Sequence, residues 1–194
     1  MPCASSSVNP RQYAIALALL QGRWSIRLLA TLAEGPLRYS DLMSALPGVS
    51  PTVLNARLPR LADSGLVSHG HARSLYELTR TGMSLGRALR PLCERAPADA
   101  VTVIEHRWAL PILLLLGDGP ARFSEIERAF PAMAPDTLSA RLRELGDSGL
   151  VERHVEPGPP VSTLYSLTKE GERLRPALAR IRRWADDSRR RQGF

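Results

Sequence analysis

Four histidines, at positions 69, 71, 106 and 154, and two cysteines, Cys3 and Cys93, are the side chains of this chain best suited to bind a metal or to react. His69 and His71 alternate, so on a strand both would point to one face. Structural zinc takes four ligands and catalytic zinc three around an open position. No cysteine or second cluster completes such a set, and no metal is expected. No Ser-His-Asp order, glycine-rich phosphate loop or carboxylate pair stands in a setting that suggests catalysis. The expectation is a chain that is not an enzyme and carries no cofactor.

The basic side chains offer a different chemistry. The 194 residues hold 26 Lys plus Arg against 19 Asp plus Glu, a formal charge of +7, and Lys169 is the sole lysine. A sequence pI near 10.4 matches the electrostatic footprint of a nucleic-acid binder. The choice of arginine over lysine follows equally well from a GC-rich genome. The longest apolar runs, Ala14 to Leu20 and Ile112 to Leu116, fall far short of the roughly 20 residues a membrane helix needs. With only two cysteines, a reduced, cytoplasmic setting is the natural expectation.

Internal similarity organises the chain. Gly22-Arg23-Trp24 is answered by His106-Arg107-Trp108, and Glu34-Gly35-Pro36-Leu37-Arg38-Tyr39-Ser40 by Asp118-Gly119-Pro120-Ala121-Arg122-Phe123-Ser124. Asp63-Ser64-Gly65-Leu66-Val67 recurs as Asp147-Ser148-Gly149-Leu150-Val151, still at an offset of 84. After Val67 the second copy gains five residues, so Leu75-Tyr76-Glu77-Leu78-Thr79 matches Leu164-Tyr165-Ser166-Leu167-Thr168. The expected division is a disordered tail over 1–8, one unit over 9–92, a second over 93–187 and a basic tail over 188–194. Pro91 and Pro97 loosen the helical pattern at the junction.

Within a unit, an apolar periodic segment runs from Tyr13 through Trp24 to Leu32, and Gly35-Pro36 stops it. Ser40 is expected to cap a short second helix, and Ser124 with Glu127 reads as a capping box. Ser50 before Pro51 opens a third helix whose Leu54, Leu58 and Leu61 form one stripe. That stripe leaves Thr52, Ala56 and Pro59 on the opposite side, with Asn55 nearby. Pro59 should bend this helix. Gly65 closes it, two short strands make a hairpin, and Thr79 or Thr168 caps a final helix. The fold class is mainly α with small β-hairpin wings (α+β): two tandem winged helix-turn-helix domains.

The run Arg-Trp, Gly-Pro-x-Arg-Tyr/Phe-Ser, Pro-x-x-Leu-x-x-Arg-Leu-x-x-Leu-x-x-Ser-Gly-Leu-Val and Tyr-x-Leu-Thr-x-x-Gly resembles the HxlR family of bacterial transcriptional regulators, in both copies. The resemblance implies a DNA-binding regulator, with repression as the first expectation. Such regulators usually carry one unit and pair as homodimers. A fused pair therefore resembles a dimer in one polypeptide, and a monomeric pseudo-dimer or a further homodimer are both open.

A helix-turn-helix inserts its second helix, here the third of each unit, into the major groove of double-stranded DNA. The groove-facing candidates are Thr52, Val53, Asn55 and Ala56, and in the second copy Asp136, Thr137, Ser139 and Ala140, with Arg143 further along. Asn55 is the best single candidate for base readout, since its carboxamide can pair with adenine. Phosphate contacts are expected from Arg38 and Arg122, from the caps Ser40, Ser50 and Ser124, and from the wings through His71, Arg73, Arg153 and His154. Arg57 and Arg141 flank the core stripe, where a structural ion pair is as good an expectation.

The copies differ in charge. Residues 1–96 hold 11 basic and 5 acidic groups, residues 97–194 hold 15 and 14, and 97–179 alone hold 9 and 12. Asp136 would repel phosphates at a helix start. Both units are expected to touch DNA, the first more strongly. The resemblance also places Cys93 roughly where relatives often carry a cysteine, some of them sensing oxidants; burial as an inert small hydrophobe is the alternative. Trp24, Trp108 and Trp184 could line a small-molecule effector pocket, although recurrence of the first two favours core packing. Competing readings are a tandem winged-helix protein-interaction scaffold, which would favour an acidic or apolar surface, and a replication initiator.

Overall fold

In the computed structural model of the chain, residues 20, 22–70, 74–156 and 162–192 are described. The first unit runs α1 (Ser25–Leu32), β1 (Leu37–Arg38), α2 (Tyr39–Ala45), α3 (Pro51–Asp63), β2 (Val67–Gly70), β3 (Leu75–Leu78) and α4 (Arg80–Arg95). The second runs α5 (Ala98–Ile104), α6 (Ala109–Leu116), β4 (Ala121–Arg122), α7 (Phe123–Ala129), α8 (Pro135–Asp147), β5 (Val151–Glu156), β6 (Ser162–Leu167), α9 (Lys169–Glu172) and α10 (Arg175–Gln192). Each unit is a winged helix-turn-helix. Its hairpin gains a third, very short strand, so the antiparallel sheets order as β1-β3-β2 and β4-β6-β5.

The sequence explains the central elements. Leu54, Leu58 and Leu61 of α3, and Leu138, Leu142 and Leu145 of α8, are all buried. Both helices end alike. Gly65 takes φ 69° and Gly149 φ 71°. The Gly65 N–H donates to Ala62 and the Leu66 N–H to Leu61, with the same pair of bonds at Gly149 and Leu150. That is the Schellman stop, which needs a residue free to adopt positive φ. The Thr79 hydroxyl accepts from the Gly82 N–H at 3.1 Å and donates to the Gly65 carbonyl at 2.6 Å, tying the start of α4 to the end of α3. Thr168 repeats both bonds with Gly171 and Gly149.

Several expectations need correction. The first periodic segment is not one helix: Trp24 and Trp108 stand at φ 80° and 77°, and α1 and α6 begin directly after them. Both indoles are buried, and apolar periodicity continues across the break because the chain is buried on both sides of it. Ser40 and Ser124 do not cap. The caps are Arg38 and Arg122, whose N–H groups donate to Asp41 and Glu125 at 3.1 and 2.7 Å. Glu125, two residues before Glu127, does the work expected of that carboxylate. Helix α4 continues past Pro91 and across the expected 92/93 boundary. Helix α10 extends to Gln192, so most of the segment expected as a basic tail is helical. The expected tail over 1–8 lies outside the described residues.

Buried residues of the two units form one continuous cluster. Helices α4 and α10 pack against each other, and the Trp184 indole N–H donates across that seam to the Thr81 carbonyl at 3.3 Å. A second link is ionic: Glu105, its side chain fully buried, accepts from the Arg27 N–H at 3.2 Å and faces the Arg27 guanidinium at 3.5 Å. The Trp24 N–H donates to it as well. Glu105 of the second unit thus satisfies orphan amides at the start of α1 in the first.

Candidate nucleic-acid interface

Burying the leucine stripe of α3 turns the opposite face outward. Thr52, Asn55, Ala56 and Pro59 are exposed, while Val53 is half-buried and packs on the core. The Ser50 hydroxyl accepts from the Val53 N–H at 3.3 Å, and Pro51 occupies the first turn. In α8 the exposed set is Asp136, Ser139 and Arg143, with Thr137 and Ala140 half-buried. Ala134 stands where Ser50 does and provides no side-chain cap, so Asp136 is the sole carboxylate in that first turn.

Around these helices stand exposed cationic and hydrogen-bonding groups. Arg38 and Arg122 are exposed at the junction of the short strand and second helix of each unit. Ser40 and Ser124 are exposed as the second residues of those helices. Arg153 and His154 lie exposed on β5, where His154 Nε2 sits 3.2 Å from Glu152. A cleft of about 370 Å³ separates α8 from this wing, lined by Ser139, Arg143 and Arg153 among others. His71 and Arg73 of the first wing lie outside the described residues. His69 stacks on Tyr76, ring centroids 4.3 Å apart, so it serves the sheet.

Arg57 and Arg141 turn elsewhere. The Arg57 guanidinium lies over Gly22, whose missing side chain makes the room. Arg141 pairs with Glu144, which also takes His106 Nδ1 at 2.8 Å. Arg57 thus lies against the start of its own unit, and in the second unit Glu144, paired to Arg141 on the same helix, makes that link through His106. For Arg141 this is the structural ion pair expected as the alternative to a phosphate contact; the packing of Arg57 has no sequence signal, because the residue facing it is a glycine.

Cys93 sits half-buried on α4 against the core. Burial pushes its thiol up to about 12, Glu105 adds to the rise, and Arg27 opposes it. A thiol so protonated is a poor nucleophile. With Cys3 replaced by serine, alkylation of Cys93 at pH 8 is expected to run on the order of a thousandfold slower in the folded chain than in urea. Equal rates would refute the burial argument.

The three indoles are buried, and Arg27 and Arg107 stack on Trp24 and Trp108 at 4.5 and 5.1 Å. Among the described residues no group of histidine, cysteine, aspartate and glutamate is placed to hold a metal ion. No described helix is long and apolar enough to cross a membrane.

Comparison with known proteins places the repeat. The family model described as HxlR-like helix-turn-helix matches residues 19–99 and again 103–192. The HTH-type transcriptional regulator YvaP of Bacillus subtilis (strain 168) is 44% identical over 88 residues, 45% of this chain and 82% of that protein. The HTH-type transcriptional regulator YodB of the same organism is 35% identical over 102 residues, 53% of this chain and 88% of that one. A solved structure, the reduced form of YodB, matches at 37% identity with a TM-score of 0.41, covering 46% of this chain and 88% of that chain.

Proposed function

Because this chain belongs to the HxlR-like helix-turn-helix family, matched in both of its units, and is a DNA-binding transcriptional regulator, we propose that it represses transcription by occupying a promoter with α3 and α8 in successive major-groove segments. The observation that carries this reading is the repeated outward face. In each unit a helix with a buried leucine stripe presents small polar or amide side chains, flanked by an exposed arginine at the start of the second helix. Such a helix start is where a helix-turn-helix meets base edges.

In this reading Asn55 reads bases, Arg38, Arg122 and Arg153 contact phosphates, and the first unit supplies more of the affinity because its charge balance is more positive. The chain works as a cytoplasmic, monomeric pseudo-dimer, since the seam between α4 and α10 already joins two units. Cys93 is an inert core residue and not a sensor.

The test is salt-dependent binding to duplex DNA from upstream of its own gene. Each phosphate contact contributes about 0.9 to the slope of log K against log salt. Arg38→Ala and Arg122→Ala are each expected to reduce that slope by roughly 0.9. A chain that fails to bind this DNA at low salt, or variants that leave the slope unchanged, would sink the reading.

A further inference from the structure

Positions related by the repeat present chemically different groups to the groove from equivalent places. Because Leu54, Leu58 and Leu61 are buried as Leu138, Leu142 and Leu145 are, residues 52, 55, 56 and 59 occupy the same outward positions as 136, 139, 140 and 143. Alanine stands at 56 and 140. The other three pairs are Thr52 and Asp136, Asn55 and Ser139, Pro59 and Arg143. The face of α3 carries an amide and a threonine hydroxyl amid methyl and methylene groups and no charge; the face of α8 carries a carboxylate, a guanidinium and a serine hydroxyl.

Base edges distinguish these faces. A carboxamide pairs bidentately with adenine N6 and N7, and apolar groups meet the thymine methyl. A guanidinium pairs bidentately with guanine O6 and N7. A carboxylate can only accept in the major groove, so it suits the cytosine amine and is repelled by the acceptors of guanine and thymine.

The contacts joining the units are also one-way. Trp184 of α10 donates to Thr81 of α4. Their repeat counterparts are Arg95 and Glu170, which cannot make the reverse bond with an indole. Arg27 meets Glu105, while their counterparts Pro111 and Gln21 carry no charge. The two units are therefore held in one order by contacts that have no mirror image.

Resting on the reading above, we propose that the chain recognises a non-palindromic operator with a fixed direction: an A·T-rich half read by α3 through Asn55, and a G·C half read by α8 through Arg143 and Asp136. Part of the specificity at the second half thus comes from Asp136, a residue that weakens its non-specific hold on phosphates. A single bound chain lies on the promoter in one orientation only.

Selection of binding sites from a randomised duplex library with the full chain reads this directly. The expected motif has two unlike halves, one A·T-rich and one containing a G·C step. Inverting one half within the selected site should reduce affinity on the order of tenfold or more. Asn55→Ala should relax base preference in the A·T half alone and Arg143→Ala in the G·C half alone, each on the order of tenfold. A palindromic motif would overturn the proposal, since it would mean that two chains bind and present the same unit to both halves. Relaxation of both halves by either single variant would overturn it as well. Enrichment of no motif at all would instead remove the underlying reading of a sequence-specific regulator.

Discussion

Replacing Gly82 or Gly171 by alanine is expected to destabilise the chain by about 3 kcal/mol each, near the upper end of what overpacking a core costs. A Cβ on either residue would fall well inside 3.0 Å of the carbonyl oxygen of Leu66 or Leu150. The obstacle is backbone, fixed by its own bonds: the Leu66 carbonyl accepts from the Thr79 N–H at 3.0 Å, and the Leu150 carbonyl from the Thr168 N–H at 3.0 Å. Neither can yield without releasing the threonine cap and the stop of the preceding helix. For a chain of this length the loss corresponds to roughly 6–12 °C in Tm. Gly146→Ala provides the opposite sign. Gly146 lies exposed in α8 with its nearest neighbour 3.7 Å from a new Cβ, an ordinary contact. Alanine there is expected to stabilise by about 0.5–1 kcal/mol. Thermal unfolding of the three variants checks the pattern; equal effects at Gly82 and Gly146 would refute the close-packing argument.

This pair of glycines also shows what the sequence discloses and what it conceals. The spaced leucines of α3 and α8, the Ser50-Pro51 start, the Gly65 stop and the Thr79 cap are all readable, because each rests on interactions within a few residues of chain. The requirement for Gly82 is not readable that way. It arises where α4 crosses the end of α3, a contact between segments some sixteen residues apart. The break at Trp24 escapes detection for a related reason. Tryptophan is not a residue that favours positive φ, and the amides freed at the start of α1 are satisfied by Glu105, far along the chain in the other unit. Similarly, the caps fall on Arg38 and Arg122 because a two-residue strand pairs with β3 and β6 just before the second helix. Pairing of that length leaves no periodicity to find.

For the interface, the repeat and the leucine stripe together disclose which face of α3 and α8 is outward. They do not disclose which arginines are available. Arg57 and Arg141 recur at matched positions on the flank of the stripe, and in both units the guanidinium is turned against the protein, over Gly22 in one and onto Glu144 of the same helix in the other. Arg143 takes the place of Pro59, a difference that carries no structural role in either helix core.

Removing the Arg27 guanidinium is expected to have a still larger effect, because its partner has nowhere to go. Glu105 has a fully buried side chain, and its Oε2 has no hydrogen-bond partner among the described residues, only the Arg27 guanidinium at 3.5 Å. Arg27→Ala would leave the buried charge without its ion-pair partner, with Arg23 the remaining cation that acts on it, which costs about 3–5 kcal/mol. Glu105→Gln in that background should recover most of the loss, since an amide oxygen still accepts from the Trp24 and Arg27 N–H groups without a charge to bury. The pH dependence follows from the same burial, which raises the Glu105 carboxyl above its ordinary value of 4.5 against the opposing pull of those N–H groups and of Arg27. A carboxyl raised on folding holds its proton more tightly in the native chain, so its contribution is fullest below about pH 4.5 and declines as pH rises, until the folded chain ionises too. The Glu105→Gln single variant has no such proton. Its stability relative to the natural chain should therefore climb as pH is raised from about 4.5 and then level off. Urea unfolding across that range measures it. A difference flat with pH, or an Arg27→Ala cost below about 1 kcal/mol, would show that this ionic link between the two units is not what the burial of Glu105 implies.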